Sequence, residues 1–392
     1  MLWDVIYLDY NATTPVDRRV ADRIYQTLTQ DWGNASSFEH DRGTQAAAAI
    51  DQACAEVAQL LSLDRLSDRP QILFTSGATE SLNLAIQGTV QHLERQGKRP
   101  RIAVTAIEHK AVLEPCQGLA QADRVDLTVL AVNEQGALDL PSIEACCQQG
   151  LDLLCVMAAN NEIGVLNPME TLGAIAQRYQ VPLLCDATQA LGKVPLVPSH
   201  WGGSVLLAGS AHKLYGPQGC GVLILPRRYG LEPLLQGGGQ QGGLRPGTLN
   251  LPGIVGFGEA CRLRRLEMAE DEARVRSRRD HLQQQLQAQI PNLVVHGVTQ
   301  PRLAGTLSIS IPGIPNSALL ARLRSDLACS SGSACTVGTP APSHVLRALG
   351  LSPELLNGAV RLSLGKWTTM EEVETAGALL AETVQTLRTL LA

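Results

Sequence analysis

The chain has 392 residues, of which 45% are hydrophobic and 18% charged, and its formal net charge is −5. Such a length buries a large core without metals or disulfide staples and suggests roughly two or three domains. With aromatic residues at 3% and no basic excess, the composition argues against a nucleic-acid binder.

The chain opens with MLWDVIYLDYNATTP, which carries Asp4 in place of a basic n-region and too short an apolar run for a signal peptide. No stretch approaches the roughly 20 apolar residues of a membrane span. The ten cysteines are scattered through mostly apolar segments without a C-x-x-C pair, so no zinc or dithiol motif is present and a reducing cytoplasm is expected.

From residue 70 to 225, short apolar runs alternate with helical patterns. The strand candidates are QILFTSG, RIAVTAIEH, VDLTVLAV, LDLLCVMAANN, VPLLCDATQ, GSVLLAGSAHK and GCGVLILP. Several are apolar on both faces, as strands between two helix layers are. The expected fold is α/β with a largely parallel sheet, and ligands bind at the carboxyl ends of such strands.

Four of these ends carry candidate chemistry. Ser76-Gly77-Ala78-Thr79 opens a helix where backbone N–H groups and a hydroxyl can meet a phosphate; an ordinary N-cap accounts for it equally well. His109 ends the second run and could lie flat on a ring, or be a satisfied core histidine. Asp186 ends VPLLCD, where a carboxylate needs a cationic partner. A salt bridge or cap supplies one reading, a counter-charge for a protonated ring nitrogen the other. Of the lysines (98, 110, 193, 213 and 366), Lys213 alone is expected at an apolar strand end. Lys98 lies in a polar turn, Lys110 begins a helix, and Lys193 and Lys366 adjoin turn glycines.

A phosphate cradle, a carboxylate and a lysine together fit pyridoxal phosphate. At ~4 Å and an effective dielectric of ~20 the ring–carboxylate attraction is about 4 kcal/mol. That raises the ring nitrogen's pKa by roughly three and keeps it protonated at neutral pH.

Further on, the Gly-rich stretch 237–243 is expected to be a flexible loop. Residues 254–290 form a long helical pattern in which Leu282, Leu286 and Ile290 recur every four positions. Its charge run, RLRRLEMAEDEARVRSRRD, is expected to be a solvated face. GTLSISIP and AVRLSLG are further strand candidates. In CSSGSACTVG, Cys335 sits among small polar residues that predict a mobile loop, which suggests a reactive thiol. Cys329 lies nearer an apolar segment and is expected to be structural. The chain ends in an amphipathic helix with Val373, Ala376, Leu380, Val384, Leu387 and Leu391 on one face.

The ordered motifs TSGATESLNLA, EHKAVLEP, NNEIGVLNP, DATQALGKVP, SAHKLYGPQGCG, RPGTLN and SSGSACT resemble those of the cysteine desulfurases, most closely the housekeeping and nitrogen-fixation branch that supplies sulfur for iron–sulfur clusters. The resemblance runs from Tyr7 to about residue 365. It implies a fold-type-I pyridoxal phosphate enzyme of the class-V aminotransferase type. Residues 1–15 would join the small domain, 16–255 would form a large cofactor-binding domain with a mixed, mostly parallel sheet, and 256–392 a smaller α+β domain carrying the cysteine loop.

By position, the resemblance implies that Lys213 holds the cofactor, Asp186 pairs with its ring nitrogen and His109 stacks on the ring. Gln189 and Asn161 would bond its phenolic oxygen, and Ala78, Thr79, Ser210 and His212 its phosphate. Thr248 would reach the phosphate of a second subunit, which implies a homodimer. Arg361 and Asn34 would bind substrate, and Cys335 would be the nucleophile that takes sulfur from L-cysteine, leaving L-alanine. Lys213, Cys335 and His109 form the implied catalytic set. No intrinsic metal is implied, although Cys335 would transiently contact a nascent cluster on an acceptor protein such as a scaffold. The family's usual G-N-P-S-S is Gly33-Asn34-Ala35-Ser36-Ser37 here, with one extra residue before His40, and position 218 is Gln where relatives often carry Lys. A cystine or selenocysteine lyase, an aminotransferase, or a silent sulfur-transfer scaffold are the alternatives; the SGSACT loop favours the desulfurase.

Overall fold

The computed structural model describes residues 5–63, 70–331 and 342–391. After β1 (Ile6–Tyr7) come seven strands of one sheet: β2 (Gln71–Thr75), β3 (Arg101–Thr105), β4 (Asp126–Leu130), β5 (Leu153–Met157), β6 (Leu183–Asp186), β7 (Val205–Ser210) and β8 (Gly221–Leu225). They coincide with the seven apolar runs. Their order is β2-β8-β7-β6-β5-β3-β4, and β8 runs against both of its neighbours while the others are parallel.

Successive side chains of β5 serve two cores. Leu154 and Val156 pack in the cluster holding Val57, Leu172 and Phe257, whereas Leu153 and Cys155 join Leu82, Ile86 and Val112 on the opposite face. A strand covered on both sides needs apolar residues at every position, hence the unbroken run. Each fully buried Leu or Val stabilises the fold by about 1.5–3 kcal/mol.

Helices Lys110–Gln121, Leu140–Gln148 and Met169–Arg178 connect β3 to β4, β4 to β5 and β5 to β6. Because β4 lies outside β3 while β5 returns to its other side, the winding reverses between β3 and β5. A crevice at the carboxyl ends is the geometric result.

The helix Leu251–Gln289 has 39 residues and is about 58 Å long. Asn250 caps its start by accepting from the Gly253 amide at 3.2 Å. Ile254, Phe257 and Cys261 belong to the sheet's core, whereas Val275, Leu282 and Leu286 join a second core with Leu8, Leu307, Leu362 and Leu380. The expected solvated face is only partly so: Arg264, Asp271 and Arg279 are buried. Covered from both cores, this middle stretch keeps its charges by pairing them. Arg264 donates to Asp271 at 2.5 Å, Glu272 at 2.7 Å and the Gly192 carbonyl at 2.7 Å.

The second core is built on β9 (Val294–Val295), β10 (Thr306–Ser310), β11 (Leu327–Ala328) and β12 (Ala359–Ser363). An antiparallel sheet has the order β12-β10-β9, while β1 pairs in parallel with β11. Helix Met370–Leu391 packs on it through Val373, Ala376, Leu380, Val384 and Leu387. Leu391, expected on that face, is exposed because it falls in the last turn beyond the core. The Gly-rich stretch is also more anchored than its composition suggests. Gln241 accepts from the Phe74 amide at 2.6 Å and donates to the Phe74 carbonyl at 2.8 Å, covering the edge of β2.

Candidate active site

A cavity of about 510 Å³ opens at the carboxyl ends of the parallel strands. Ala78, Thr79, His109, Asn161, Asp186, Gln189, Ser210, His212, Lys213 and Arg361 all line it. Thr248 and Asn34 do not, and both are exposed. Cys335 lies outside the described residues.

Lys213 ends the single turn after β7, and its Nζ donates to the carbonyls of Asn11 at 2.5 Å and Ala12 at 2.7 Å. Asp186 ends β6, buried, with Oδ1 accepting from the Thr188 amide at 2.9 Å. Gln189 donates from Nε2 to the Asn11 carbonyl at 2.8 Å, and its Oε1 accepts from Lys193 at 3.1 Å. Burial lowers the Lys193 amine to about 7; Glu272 opposes that shift, while Lys213, Arg264 and Arg361 reinforce it.

Lys213 is not the sole lysine in apolar surroundings. Lys366 is buried against Asp17 at 2.5 Å, with its ammonium over the Tyr215 and Trp367 rings, and Lys193 is half-buried. Turn glycines beside them said nothing about what later covers those turns.

At the other end of the cavity, helix Ala78–Arg95 starts at Gly77 without a side-chain cap, so its first N–H groups face the opening together with the positive end of the helix dipole. A Cβ on Gly221 would sit 2.4 Å from the Gly77 carbonyl carbon, so only glycine lets β8 begin against this turn. His212 is held down to about 4 by burial, then by Lys213 and Lys193, and is therefore neutral at pH 7. Its Nδ1 lies 3.1 Å from the Thr13 hydroxyl. Open amides, hydroxyls and a neutral imidazole are a donor set suited to a phosphate.

His109 caps helix Lys110–Gln121, its Nδ1 accepting from the Ala111 amide at 3.1 Å. A ring that accepts at Nδ1 carries its proton on Nε2. Arg361, in β12, is buried and donates to Asp9 at 2.7 Å and to the Asn161 carbonyl at 3.0 Å; its Nε has no partner among the described residues. Ser330 exchanges backbone hydrogen bonds with Arg361 at 3.2 and 2.7 Å. Asn11 and Thr188 also line the cavity, and neither was singled out from sequence. Asn11 acts largely through its backbone carbonyl, which leaves no side-chain signature. The Thr188 hydroxyl is buried without a partner among the described residues, a property that only the fold exposes.

The class-V aminotransferase family model matches residues 6–375. The chain is 42% identical over 389 residues to the cysteine desulfurase IscS of Tolumonas auensis, covering 98% of this chain and 94% of that protein. It is 39% identical over 385 residues to the mitochondrial cysteine desulfurase of Arabidopsis thaliana, covering 98% and 83%. A solved NifS-like protein superposes with a TM-score of 0.87 at 32% identity, covering 97% of this chain and 99% of that one. The structure of SspA in complex with cysteine gives 0.76 at 29% identity, covering 93% and 99%.

Proposed function

Because the chain belongs to the class-V aminotransferase family and, within it, to the cysteine desulfurases, we propose how its own residues divide the work of that reaction. The protein is a pyridoxal-phosphate-dependent enzyme acting on L-cysteine. The observation that carries the assignment of roles is the convergence of Lys213, Asp186 and the uncapped helix start at Gly77 on one cavity. These residues fit the cofactor: an amine for its aldehyde, a carboxylate for its ring nitrogen, and N–H donors for its phosphate. Bound there, pyridoxal phosphate supplies an electron-accepting ring that weakens the substrate's bonds at Cα.

Ala78, Thr79, Ser210 and His212 hold the phosphate, and Thr248 of a second subunit completes that end in a homodimer. Asn161 and Gln189 orient the phenolic edge, and His109 covers the ring face. Arg361 grips the substrate carboxylate with the guanidinium edge that includes Nε, unpartnered among the described residues, a task suited to its fork. Asn34, exposed outside the cavity, contributes to substrate binding only if the dimer brings it near. Lys213 moves the Cα proton, and His109 exchanges a proton with the thiol at Nε2. The Cys335 thiolate bonds to the substrate sulfur as the Cβ–Sγ bond breaks; the released electron pair stays with carbon, which takes up a proton to give L-alanine. Sulfur remains on Cys335 as a persulfide.

The persulfide passes to an acceptor protein such as an iron–sulfur scaffold, and feeds cluster and other thio-cofactor synthesis. A reducing cytoplasm suits the nine free cysteines among the described residues. Among the described residues no helix is long and apolar enough to cross a membrane. The test is transfer of ³⁵S. Protein loaded with ³⁵S-cysteine should carry label that moves to an added apo-scaffold, and C335S should carry none. Label released only as free sulfide, never bound, would contradict the proposal.

A further inference from the structure

Glu108, the residue before His109, is completely buried. Its Oε1 accepts two hydrogen bonds, from the Thr105 hydroxyl at 2.6 Å and the Met157 amide at 2.8 Å. Its Oε2 has no hydrogen-bond partner among the described residues. An ionised carboxylate spreads its charge over two oxygens and needs donors on both, whereas a carboxylic acid has one carbonyl oxygen that accepts and one hydroxyl. With two bonds on one oxygen and none on the other, the acid leaves only an uncharged hydroxyl unmatched, whereas the ion would leave part of a buried charge without a donor.

The surroundings agree. Among the described residues, the titratable side chains that interact with Glu108 include Asp186, another acid, and the buried thiols of Cys155 and Cys185. On the backbone side, His344 meets only its carbonyl, at 2.8 Å from Nε2. Burial, joined by Asp186 and opposed by the two hydrogen bonds, raises the carboxyl to about 8.

We infer that Glu108 is a positioning residue that works as a neutral carboxylic acid, tying the turn that carries His109 to the end of β5 without placing a second negative charge beside Asp186. The tie spans the point where the sheet's winding reverses. Thr105 ends β3, and Met157 ends β5 in register with Asp186 on β6. One uncharged side chain thus fixes the ring-stacking histidine relative to the ring-pairing carboxylate. The inference rests on the cofactor site proposed above.

The test is infrared spectroscopy of the holoenzyme, with E108Q and E108L as comparisons. Wild type at pH 7 should show the C=O stretch of a protonated carboxyl that shifts in ²H₂O and is missing from E108Q. Comparison with E108Q is needed because burial also raises Glu272, to about 7. Glutamine keeps the accepting oxygen, so E108Q should restore the circular dichroism of the bound cofactor and most of the turnover that E108L loses, a loss of about tenfold or more. The absence of a band difference between wild type and E108Q, or an E108Q as impaired as E108L, would overturn the inference. The band does not depend on turnover. Its presence in a wild-type protein that retained no cofactor would sink the site proposal and leave the neutral acid standing. Should E108L not fold, the band and the E108Q dichroism decide.

Discussion

Lys193 donates from Nζ to Oε1 of Gln189 at 3.1 Å, and that bond decides which edge of the Gln189 amide is left to face other partners. With its oxygen taken, Gln189 turns its NH₂ group to the Asn11 carbonyl, the same oxygen that receives the Lys213 amine. In the proposed site, Lys193 thereby leaves Gln189 with a donor, not an acceptor, for the cofactor's phenolic oxygen. Replacement by methionine leaves a buried acceptor unmatched, which costs about 1–3 kcal/mol. K193M should bind pyridoxal phosphate about tenfold more weakly, measured by fluorescence titration of the apoenzyme. An unchanged dissociation constant would mean that the amide is oriented by something else.

Lys213 should be the attachment point. K213A is expected to fold, to lose the visible absorbance of the attached cofactor, and to form no alanine. A variant that kept both the band and turnover would remove Lys213 from its role.

Asp186 faces the ring nitrogen in the account above, and the attraction of about 4 kcal/mol at an effective dielectric of ~20 makes the consequence large. D186N keeps the shape but not the charge. It should still attach cofactor through Lys213, yet show turnover reduced by about a hundredfold or more. Wild-type rates in D186N would refute the pairing.

A stability prediction comes from a pair outside the cavity. Burial pushes the Asp17 carboxyl up, but hydrogen bonds from Arg19 and Lys366 outweigh it and hold the group well below the usual carboxylate range. A depressed folded value means the contribution is complete above the unfolded value of about 3.9 and fades as pH falls toward the folded one. Among the described residues, D17N would leave buried Lys366 with only Glu267, at 3.7 Å, as an acidic partner. Urea unfolding should show D17N about 3 kcal/mol less stable than wild type at pH 7, with the gap narrowing below pH ~4. A gap that stayed constant into acid would show that the ion pair is not its source.

The parts of this structure that depend on local pattern were legible in the sequence. Seven apolar runs became the seven strands because a strand buried on both faces must be apolar throughout. The residues at their carboxyl ends met in one cavity because parallel strands start their loops on the same edge. What depends on distant packing was not legible. Arg264 and Lys366 sit in charged or glycine-flanked stretches, and their burial follows from Asp271, Glu272 and Asp17, which the fold brings to them. The Asn11 carbonyl and the bare Oε2 of Glu108 have no side-chain pattern to betray them. Resemblance supplied the roles of Arg361 and Gln189; their partners, Asp9 and Lys193, came from geometry.

The most direct measurement is the intact mass of the protein after brief exposure to L-cysteine, with C335S as control and alanine assayed in parallel. The account predicts an added sulfur on wild type alone, together with alanine formed. Alanine or pyruvate without any Cys335-dependent gain in mass would contradict it, leaving the cofactor site but assigning it the chemistry of a lyase.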